Sequence, residues 1–519
     1  MKKEIQELSQ DVRVSGFFDF GRDAFSTLEV ELDTPFPENI EIAVGEIAKD
    51  GHLVHTPGFR TFIQQILQTG VGRQVIRFHI PRHIPAYGGF PHCLAPAEAD
   101  GEVAPFRYVE VNRHYGPVTC RRTAWFGDWD DSAASFQSSD PVLNRVWDFC
   151  KYSIKATSVF DKYVDGERER MPYEGDAVIN QLGHFCCDAN YAQARRTIDH
   201  FFEYGQFTWP TEWMLLTPIL VRDYWLYSGD EDSLHRWLPL LDSKLMPGCL
   251  DEGGLLNQSR YQAAFPGRKV RDIVDWPESE RDGYEFADVN FVPNAYLYHA
   301  YLVMHQLTGN PDYLTKARAL RQAIRSRLMR EGRFVDSEGS SHTSLHAALF
   351  ALRYGLAEEA EKDALREILR TRGMACSVYG AQFLLETCYL QGMAEHALTL
   401  LTSDGPRSWL NMMREGATIS MESWGDRWKT NQDWNHAWGA APANLIPRWL
   451  CGLRPVEPGF RRFVVDPKPA SLVQFTLRQP TIHGSITLEW DGSHGSLVVP
   501  QGTTAVFRGE NLLPGNHSL

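Results

Sequence analysis

The hydrophobic and polar positions of this chain follow two different periods. Near both ends apolar and polar residues alternate, as in residues 73–80 and 482–490, which is typical of strands with one buried face. From residue 140 to residue 452 the apolar positions recur instead at helical spacing in about twelve segments, joined mostly by short polar turns. The pattern predicts two β regions that flank a long helical region.

A helix-start signal marks the beginning of the helical region. Asp140 is suited to cap a helix, and Pro141 fits the first helical position, where a missing N–H removes no helical hydrogen bond. An apolar series at helical spacing follows. We therefore divide the chain into an N-terminal β domain at 1–135, a helical domain at 136–453 and a C-terminal β domain at 454–519.

The connections within the helical domain indicate its architecture. Helices joined by short turns pack antiparallel, and six such hairpins can close into an (α/α)₆ barrel, although helical period alone fits an open bundle equally well. We expect both flanking domains to be sandwich-like and the last helix to span 435–450. Two long loops interrupt the pattern, at 161–176 and at about 250–288, and long loops in compact domains are often functional.

Charge and cysteine content restrict the partners and the compartment. With 52 Lys and Arg against 66 Asp and Glu, the net charge of −14 opposes nonspecific attraction to nucleic acid and to anionic membranes. No apolar run reaches the roughly 20 residues of a membrane-crossing helix. Acidic residues follow Lys2 and Lys3 where a signal peptide would be apolar, so we expect a cytoplasmic protein. The nine cysteines form no C-x-x-C pair and are expected to be reduced.

Several common catalytic motifs are missing from the sequence. It contains neither a complete dinucleotide fingerprint nor a Walker lysine motif, and neither H-E-x-x-H nor G-x-S-x-G. We therefore expect no metal and no cofactor. The chain is rich in aromatic residues, with 15 Trp, 19 Tyr and 28 Phe. Carboxylate chemistry beside aromatic rings is what remains, and this combination suggests a sugar site.

The most informative segment is residues 165–176, which contain five acidic residues and two arginines around a proline. Pro172 removes a backbone donor and disfavours helical backbone at Met171, so the side chains lie on an irregular loop and can converge. Crowded acids raise one another's pKa values while arginines lower them, and glycoside hydrolysis needs one protonated and one ionised carboxyl group. A solvated, self-paired charge cluster explains the same composition.

A second segment, residues 416–428, places one acidic residue, Glu422, among aromatic residues. Trp424 and Trp428 follow it closely, and His436 lies shortly after. Tryptophan rings can stack on a sugar, which makes these residues candidates for substrate binding. The alternative is that the tryptophans belong to the core and that His436 is a buried hydrogen-bonding residue.

Five stretches occur in the order found in one known family. Residues 138–147 resemble the first barrel helix of bacterial α-L-rhamnosidases of glycoside hydrolase family 78. Residues 168–176 are similar to the family's D-E-R-x-G-W-x-G-D loop, and residues 416–422 to its G-A-T-T-x-W-E segment. Residues 435–439 resemble N-H-Y-A-x-G, and residues 458–469 resemble the passage into the C-terminal sheet. The resemblance extends over roughly residues 138–470.

The resemblance implies roles for individual residues. The family's general acid and general base correspond by position to Glu169 and Glu422. The resemblance also places further residues at the sugar subsite, namely Asp165, Arg168, Tyr173, Asp176 and Trp276. Trp209 and Glu212 stand where the family has an aromatic residue and an Asp. Loop packing is the alternative for Trp276, and a buried residue at a helix end is the alternative for Glu212.

The chain also departs from the family pattern. Arg168 stands where the family usually has Asp, Pro172 replaces Gly, Tyr173 replaces Trp, and Met421 replaces the Trp before the base. Asp165 lies four residues before Glu169, whereas the corresponding family Asp lies five or six before the acid. These changes alter the walls of the expected pocket and leave both expected catalytic carboxylates in place.

The activity implied by the resemblance is release of terminal α-L-rhamnose with inversion, and the expected cytoplasmic location argues for small glycosides as substrates. An inverting enzyme has carboxyl groups about 6.5 to 9.5 Å apart, against about 5 to 5.5 Å in a retaining enzyme. One alternative is a glycosidase of the same barrel that acts on another terminal sugar or on an unsaturated uronide, which a strongly cationic pocket would favour. A noncatalytic sugar-binding protein is the other alternative. We expect a homodimer, although no residue pattern argues for it.

Overall fold

The chain changes from strands to helices and back to strands, as the two periods predict. The computed structural model describes residues 1–85, 92–203, 210–267 and 270–519. The strands of the N-terminal region are β1 (Lys2–Thr34), β2 (Asn39–Gly45), β3 (Ala48–Lys49), β4 (His52–Leu53), β5 (Phe62–Gln68), β6 (Gly72–Arg77) and β7 (Ala104–Phe126).

The N-terminal region is built on one five-stranded sheet in the order β5-β2-β7-β1-β6. The long strand β1 bends, so that β7 pairs with two parts of it: Ala124 pairs both with Glu4 and with Ser26. Apolar side chains from β1, β2 and β7, including Val30 and Ile42, are fully buried and form a core of their own. This region is sheet-rich, as the alternation predicts.

The middle region contains the helices. Its elements are β8 (Ser135–Ser138), α1 (Pro141–Ala156), α2 (Glu174–Cys187), α3 (Ala192–Glu203), α4 (Thr211–Met214), α5 (Thr217–Ser228), α6 (Glu231–Trp237), α7 (Gln258–Ala264), α8 (Phe291–Thr308), α9 (Asp312–Arg327), β9 (Met329–Arg330), β10 (Arg333–Phe334), α10 (Leu345–Arg353), α11 (Glu359–Arg372), α12 (Val378–Leu390), α13 (Ala394–Leu401), α14 (Trp409–Arg414) and α15 (Pro442–Leu445).

The start of α1 has the cap that the sequence indicates. The Asp140 carboxylate accepts the N–H groups of Val142 (2.7 Å) and Leu143 (3.2 Å), with Pro141 at the first helical position. These bonds satisfy two of the backbone donors that a helix leaves without partners at its N-terminus. The predicted helix start is confirmed.

The helices form two classes by burial. Helix α2 is buried along its whole length, and α12 is buried except at its last residue, whereas α11 buries only Leu365 and Leu369 and exposes charged residues. Helices α2, α5, α8, α10, α12 and α15 contact one another in that order, and α15 also contacts α2. Helices that are apolar on all sides belong inside a domain, and those with one apolar stripe belong outside. The first set is therefore an inner layer.

One predicted helix begins later than expected. The pattern predicts a helix at 435–450, but α15 begins only at Pro442, and a π-helical turn (Ile446–Leu450) then continues it to the predicted end. His436 has extended backbone (φ −121°, ψ 97°), and its N–H donates to the carbonyl of Ser420 at 2.9 Å. Residues 435 and 436 are thus held by a neighbouring segment, which outweighs their local helical periodicity.

The C-terminal region contains two sheets, one of which includes the strand before α1. Its strands are β11 (Leu453–Pro455), β12 (Arg462–Val465), β13 (Phe475–Thr481), β14 (Gly484–Trp490), β15 (Gly495–Val499), β16 (Thr504–Phe507), β17 (Glu510–Leu512) and β18 (Gly515–Ser518). The sheet orders are β11-β12-β16-β17 and β18-β15-β14-β13-β8. The buried Phe136 pairs with the buried Leu477, so strand β8, at the 135/136 division, belongs to the C-terminal sheet.

Two further features concern the state of the cysteines and the hydropathy of the helices. All nine cysteines are free and buried. Burial raises the pKa of the Cys120 and Cys376 thiols, which makes them poor nucleophiles. Among the residues that the structure describes, no helix is both long and apolar enough to cross a membrane.

Candidate active site

The loop that carries Glu169 is closed by its own backbone and one carboxylate. The N–H of Asp165 donates to the carbonyl of Met171 (3.0 Å), and the Asp165 carboxylate accepts the N–H of Met171 (2.8 Å). Arg170 lies within this closure with a φ of 52°, in the left-handed region. Pro172 follows directly, just before α2. We call this tight, irregular turn, residues 165–173, the acid loop.

The two arginines of the acid loop have different environments. The Arg170 guanidinium is fully buried, binds both oxygens of Glu167 at 2.8 and 2.9 Å, and also binds Glu102 (2.8 Å) and the carbonyl of Val103 (2.9 Å). It therefore fixes the acid loop to the N-terminal sheet region. Arg168 is the arginine that reaches the site, and its contacts are described below.

The segment that carries Glu422, residues 416–439, is held in shape by hydrogen bonds across it, and we call it the base segment. The N–H of Glu422 donates to the carbonyl of Asp433 (3.2 Å), and the indole of Trp438 donates to the carbonyl of Glu422 (2.9 Å). Ser420 and His436 bind each other through two bonds, at 2.9 and 2.8 Å. Backbone and side-chain bonds thus replace the regular helix that periodicity favours.

The acid loop and the base segment come together at Gly166. A Cβ atom at this position would collide with the carboxylate of Asp433. In the two residues that follow Gly166, the N–H of Glu167 donates to the Asn435 side-chain oxygen (2.7 Å), and the N–H of Arg168 donates to Asp433 (3.4 Å). Only glycine fits here, because any side chain would push the two segments apart.

One guanidinium nitrogen joins the two predicted catalytic carboxylates. Nη2 of Arg168 donates to Oε1 of Glu169 (2.8 Å) and to Oε1 of Glu422 (3.1 Å). The two facing oxygens are therefore no farther apart than the sum of these two distances, which is less than the 6.5 Å expected between the carboxyl groups of an inverting enzyme. The carboxylates converge, but Arg168 lies between them.

The outer oxygens of the two carboxylates differ. Oε2 of Glu169 accepts the hydroxyl of Tyr173 at 2.8 Å. Lys429 lies 3.2 Å from Oε1 of Glu422, so two cations share that one oxygen. Oε2 of Glu422 is buried and has no hydrogen-bond partner within the described structure. A buried carboxylate oxygen without a protein partner is costly unless a water or ligand binds it.

These groups line a cavity of about 350 Å³. Its lining residues are Asp165, Arg168, Glu169, Met171, Tyr173, Asp176, Trp213, Trp276, Glu422, Lys429, Asn431, His436 and Trp438. A larger cavity of about 640 Å³ lies elsewhere, against Trp129 and His184. The smaller cavity is the chemically distinctive one, since the opposed carboxylates and three indoles meet there.

His436 lies between two carboxylates at the base of the cavity. Its Nε2 is 2.8 Å from Asp176, and its Nδ1 is 2.9 Å from Asp433. Burial opposes a charge on the ring, but Asp433 and Asp176 outweigh it and hold the pKa of His436 well above its ordinary value. Glu422, Asp433 and His436 come close enough to hold a metal ion. An imidazolium has no lone pair for a metal, so the arrangement favours hydrogen bonding.

Burial also shifts the carboxyl groups of the cavity. Burial, with Asp433 nearby, raises the pKa of Glu422 above its ordinary value, although the cations around it oppose the shift. Burial, with Glu169 nearby, raises the pKa of Asp165 well above its ordinary value. Shifted carboxyl groups that meet in a cleft are a common property of catalytic sites.

The second long loop contributes Trp276 to the cavity wall. The preceding residue, Asp275, is fully buried and binds Nε2 of His346 (2.7 Å) and the N–H of Ser377 (2.9 Å). It also accepts the N–H of Trp276 at 2.8 Å. Asp275 thereby fixes this loop to α10 and to the start of α12, which positions the indole.

The structure does not bring every predicted residue to the cavity. Trp209 lies outside the described residues. Glu212 is fully buried and accepts the N–H groups of Ile273 (3.0 Å) and Val274, so it supports the second long loop from behind. Burial and Asp272 raise the pKa of Glu212 to about 8.

Two predicted tryptophans also lie away from the cavity lining. Trp424 is completely buried, donates to the carbonyl of Cys376 (2.8 Å) and packs against Trp409. Trp428 is half-buried between Arg407 and Arg427, with ring distances of 5.3 and 5.5 Å. Residues close together in an irregular segment need not face the same side. These two tryptophans therefore support the base segment and do not line the cavity.

Sequence reasoning missed four polar or aromatic lining residues. They are Lys429, Asn431, Trp213 and Trp438. Lys429 and Asn431 fall between the two quoted motifs of the base segment. The only sequence signal in that stretch is the number of its charged and amide side chains. Trp438 is buried with 2% exposure and still contributes to the cavity lining.

Comparison with known proteins places this site in a family. The model of the bacterial α-L-rhamnosidase six-hairpin glycosidase domain matches residues 131–450, and that of the bacterial α-L-rhamnosidase C-terminal domain matches residues 452–508. The chain belongs to the bacterial α-L-rhamnosidase family. The matched region contains both the acid loop and the base segment. A search of curated proteins found no match.

Solved structures with the same fold are rhamnosidases of low sequence identity. The family 78 rhamnosidase of Bacillus sp. GL1 is 19% identical (TM-score 0.72), with 93% of this chain and 51% of that one covered. The Streptomyces avermitilis α-L-rhamnosidase complexed with L-rhamnose is 15% identical (TM-score 0.75; 98% and 50% covered). The Klebsiella oxytoca rhamnosidase with rhamnose bound is 16% identical (TM-score 0.65; 86% and 89% covered). The chain thus spans about half the length of the first two.

Proposed function

We propose that this protein is a glycoside hydrolase that releases terminal α-L-rhamnose from small glycosides. One observation carries the proposal: Glu169 and Glu422, which are distant in sequence, meet at a single guanidinium in a cavity of about 350 Å³. Glycoside hydrolysis requires two such opposed carboxyl groups. Family membership supports rhamnose as the sugar, because the matching family models are those of rhamnosidases.

In the proposed mechanism Glu169 is the general acid and Glu422 the general base. Glu169 gives a proton to the departing glycosidic oxygen, while Glu422 removes a proton from the water that attacks the anomeric carbon on the opposite face. The buried, unpartnered Oε2 of Glu422 is the group we assign to this water. Tyr173 and Arg168 orient the carboxyl group of Glu169 through its two oxygens.

Retention is the second candidate outcome, and the short separation of the facing oxygens favours it. We prefer inversion, and it requires Arg168 to move away from between the carboxylates when sugar and water enter. For this movement the bonds from its Nη1 to the carbonyl of Asn431 and from its Nη2 to the two carboxylates must be exchanged, whereas its Nε has no partner within the described structure. Proton NMR of the first sugar released distinguishes the outcomes: inversion of an α-L-rhamnoside gives the β-anomer, and retention gives the α-anomer.

The composition of the cavity supports a neutral sugar. The indoles of Trp213, Trp276 and Trp438 offer apolar walls for the C6 methyl group and the ring faces of rhamnose. Arg168 and Lys429 both contact Glu422, so their charge is largely balanced within the site. A uronide would need cations to pair with its own carboxylate, and this balance makes it the weaker alternative.

The remaining features of the proposal concern architecture and context. We infer that α2, α5, α8, α10, α12 and α15 are the inner helices of an (α/α)₆ barrel, and that the flanking regions are sandwich-like. We also propose a cytoplasmic enzyme that acts on small glycosides taken up by the cell. Good activity on a polysaccharide together with none on a rhamnose-containing disaccharide would contradict this choice of substrate. A homodimer remains a prediction for light scattering to test.

A panel of nitrophenyl glycosides tests the activity directly. We expect turnover of the α-L-rhamnoside well above that of the other sugars, and loss of this turnover in both Glu169→Gln and Glu422→Gln. Preferential turnover of a different sugar would replace rhamnose while keeping the enzyme. Binding of L-rhamnose by calorimetry without turnover of any glycoside would support a noncatalytic binding protein instead.

A further inference from the structure

The N-terminal β region contacts both segments that carry the catalytic carboxylates. Arg60 forms a bidentate pair with Asp426 of the base segment, at 3.0 and 2.8 Å, and lies over the ring of Trp434. Glu102 binds Arg170 of the acid loop at 2.8 Å. The match to the six-hairpin domain begins at residue 131, so these contacts come from outside that domain.

The side-chain amide of Asn435 is the junction of these contacts. Its oxygen accepts the N–H of Glu167, two residues before Glu169, at 2.7 Å. Its nitrogen donates to Oε1 of Glu46 at 2.9 Å. Asn435 and Glu46 are both buried, so the side-chain nitrogen of Asn435 and Oε1 of Glu46 depend on each other for a hydrogen bond. Glu46 therefore fixes which end of the amide faces the acid loop.

Glu46 is itself held rigidly behind the site. It follows β2 directly, and its second oxygen accepts the N–H of Thr61. Asp23 lies beside it, and the N–H of Asp23 donates to Thr418 of the base segment at 2.8 Å. Burial raises the pKa of Asp23 to about 6, and burial together with Asp23 raises the pKa of Glu46 well above its ordinary value.

We propose that Glu46 is a positioning residue of the catalytic centre, which acts through Asn435 to fix the acid loop against the base segment. The N-terminal β region then helps to set the geometry of the active site. Glu46 is not among the described residues that line the cavity. Its effect is geometric, since misplacing a catalytic group by about 1 Å can cost about 10² in rate. The proposal rests on the hydrolase function given above.

Three substitutions at this position separate the geometric role from mere stability. Glu46→Leu removes both hydrogen-bond acceptors, and we expect kcat for the α-L-rhamnoside to fall by about 10² with KM changed little. Glu46→Gln keeps one acceptor, which can serve Asn435, and loses the one that accepts the Thr61 N–H, so kcat should stay within about threefold of wild type. Glu46→Asp withdraws the carboxyl group by one methylene and gives an intermediate loss, which serves if the leucine variant does not fold.

Glu110 provides the matched control. It is a buried carboxylate in the same sheet, bound to the N–H of Leu53 at 2.8 Å, and its bonds stay within the N-terminal region. Glu110→Leu should lower Tm about as much as Glu46→Leu while leaving kcat nearly unchanged below the transition. Equal losses of kcat in Glu110→Leu and Glu46→Leu, or equal losses in the glutamine and leucine variants, would overturn the positioning role.

A readout that does not need turnover separates this proposal from the proposed function. Amide hydrogen exchange should become faster in residues 165–172 of Glu46→Leu and stay at the wild-type rate in Glu46→Gln. If wild type turns over no glycoside, the hydrolase function fails and exchange alone decides the positioning. If wild type is active and Glu46→Leu matches it in both kcat and exchange, only the positioning role is refuted.

Discussion

The acid loop and the base segment hold their carboxylates in different ways. Both oxygens of Glu169 have protein partners, Arg168 and Tyr173. In Glu422 one oxygen takes two cations, Arg168 and Lys429, and the other has no partner in the described structure. A carboxyl group that must give up one proton in one direction benefits from fixed orientation. A carboxylate that must bind water needs an open oxygen, and this contrast supports the assignment of roles.

The largest expected effect comes from removing each carboxyl group in turn. Glu169→Gln and Glu422→Gln should each lower kcat/KM on the order of 10² to 10⁴. Their dependence on the leaving group should differ, since a good leaving group needs little acid assistance. Kinetics with a dinitrophenyl and an alkyl rhamnoside check this. The Glu169→Gln loss should shrink with the dinitrophenyl substrate, while the Glu422→Gln loss should not.

The same measurement can break the comparison. If the two variants respond alike to the leaving group, the assignment of acid and base fails. If only Glu422→Gln improves with the better leaving group, the roles are reversed.

Substitution of Lys429 tests how the cations beside Glu422 affect the pKa of that carboxyl group. The base works ionised, and Lys429 helps to hold down a pKa that burial raises. Lys429→Met should raise the pKa of Glu422 further, so that the acidic limb of the kcat/KM profile moves to higher pH. Below the optimum we expect a loss of about tenfold, from one lost charge-assisted hydrogen bond. The alkaline limb should move less.

Lys429→Arg is the control for that experiment, since it keeps the charge beside Glu422. An acidic limb that moves equally in the arginine and methionine variants would point to altered packing. A limb that moves to lower pH in Lys429→Met would contradict the electrostatic role.

Tyr173 tests the fixed orientation of Glu169. Tyr173→Phe removes the hydroxyl bonded to Oε2 and should lower kcat about fivefold, the range of a single hydrogen bond. The loss should be greater for the alkyl than for the dinitrophenyl rhamnoside, which leaving-group kinetics measure. An effect confined to KM would show instead that the hydroxyl binds sugar.

The smallest effect is expected at Trp428, which the structure keeps away from the cavity lining. Trp428→Phe should leave kcat/KM within about twofold of wild type, the range expected for a residue without substrate contact. Trp276→Phe is the comparison, because Trp276 lines the cavity and its loss should raise KM more. Equal effects of the two substitutions would mean that the base segment moves when sugar binds.

Local signals predicted the elements that local physics controls. The Asp140 cap, the irregular loop before Pro172 and the alternation of apolar positions in β14 each depend on neighbours within a few residues, and each is present. Elements fixed by distant partners were predicted less well. The expected helix at 435–450 begins only at Pro442, because Ser420 binds His436, and strand β8 joins a sheet whose other strands lie more than 300 residues downstream.

The candidate site divides in the same way. Glu169 and Glu422 were named by position from the resemblance to the rhamnosidase family, whereas residue type alone left a solvated charge cluster as an alternative for the acid loop. The resemblance singled out Arg168, which lines the cavity, rather than Arg170. Sequence could not distinguish Trp276 from Trp424, because identical side chains differ here only in what lies opposite them. Lys429 carried no distinguishing signal for the same reason.

The sequence by itself determined the order of strand and helix regions and the irregular backbone of the acid loop. These follow from backbone preferences and short-range periodicity. Only the tertiary structure decided that one guanidinium nitrogen joins both carboxylates, that Glu422 keeps an open oxygen and that Glu46 stands behind Asn435. Such contacts join residues up to 389 positions apart, and only packing brings them together, since no local interaction encodes their distance.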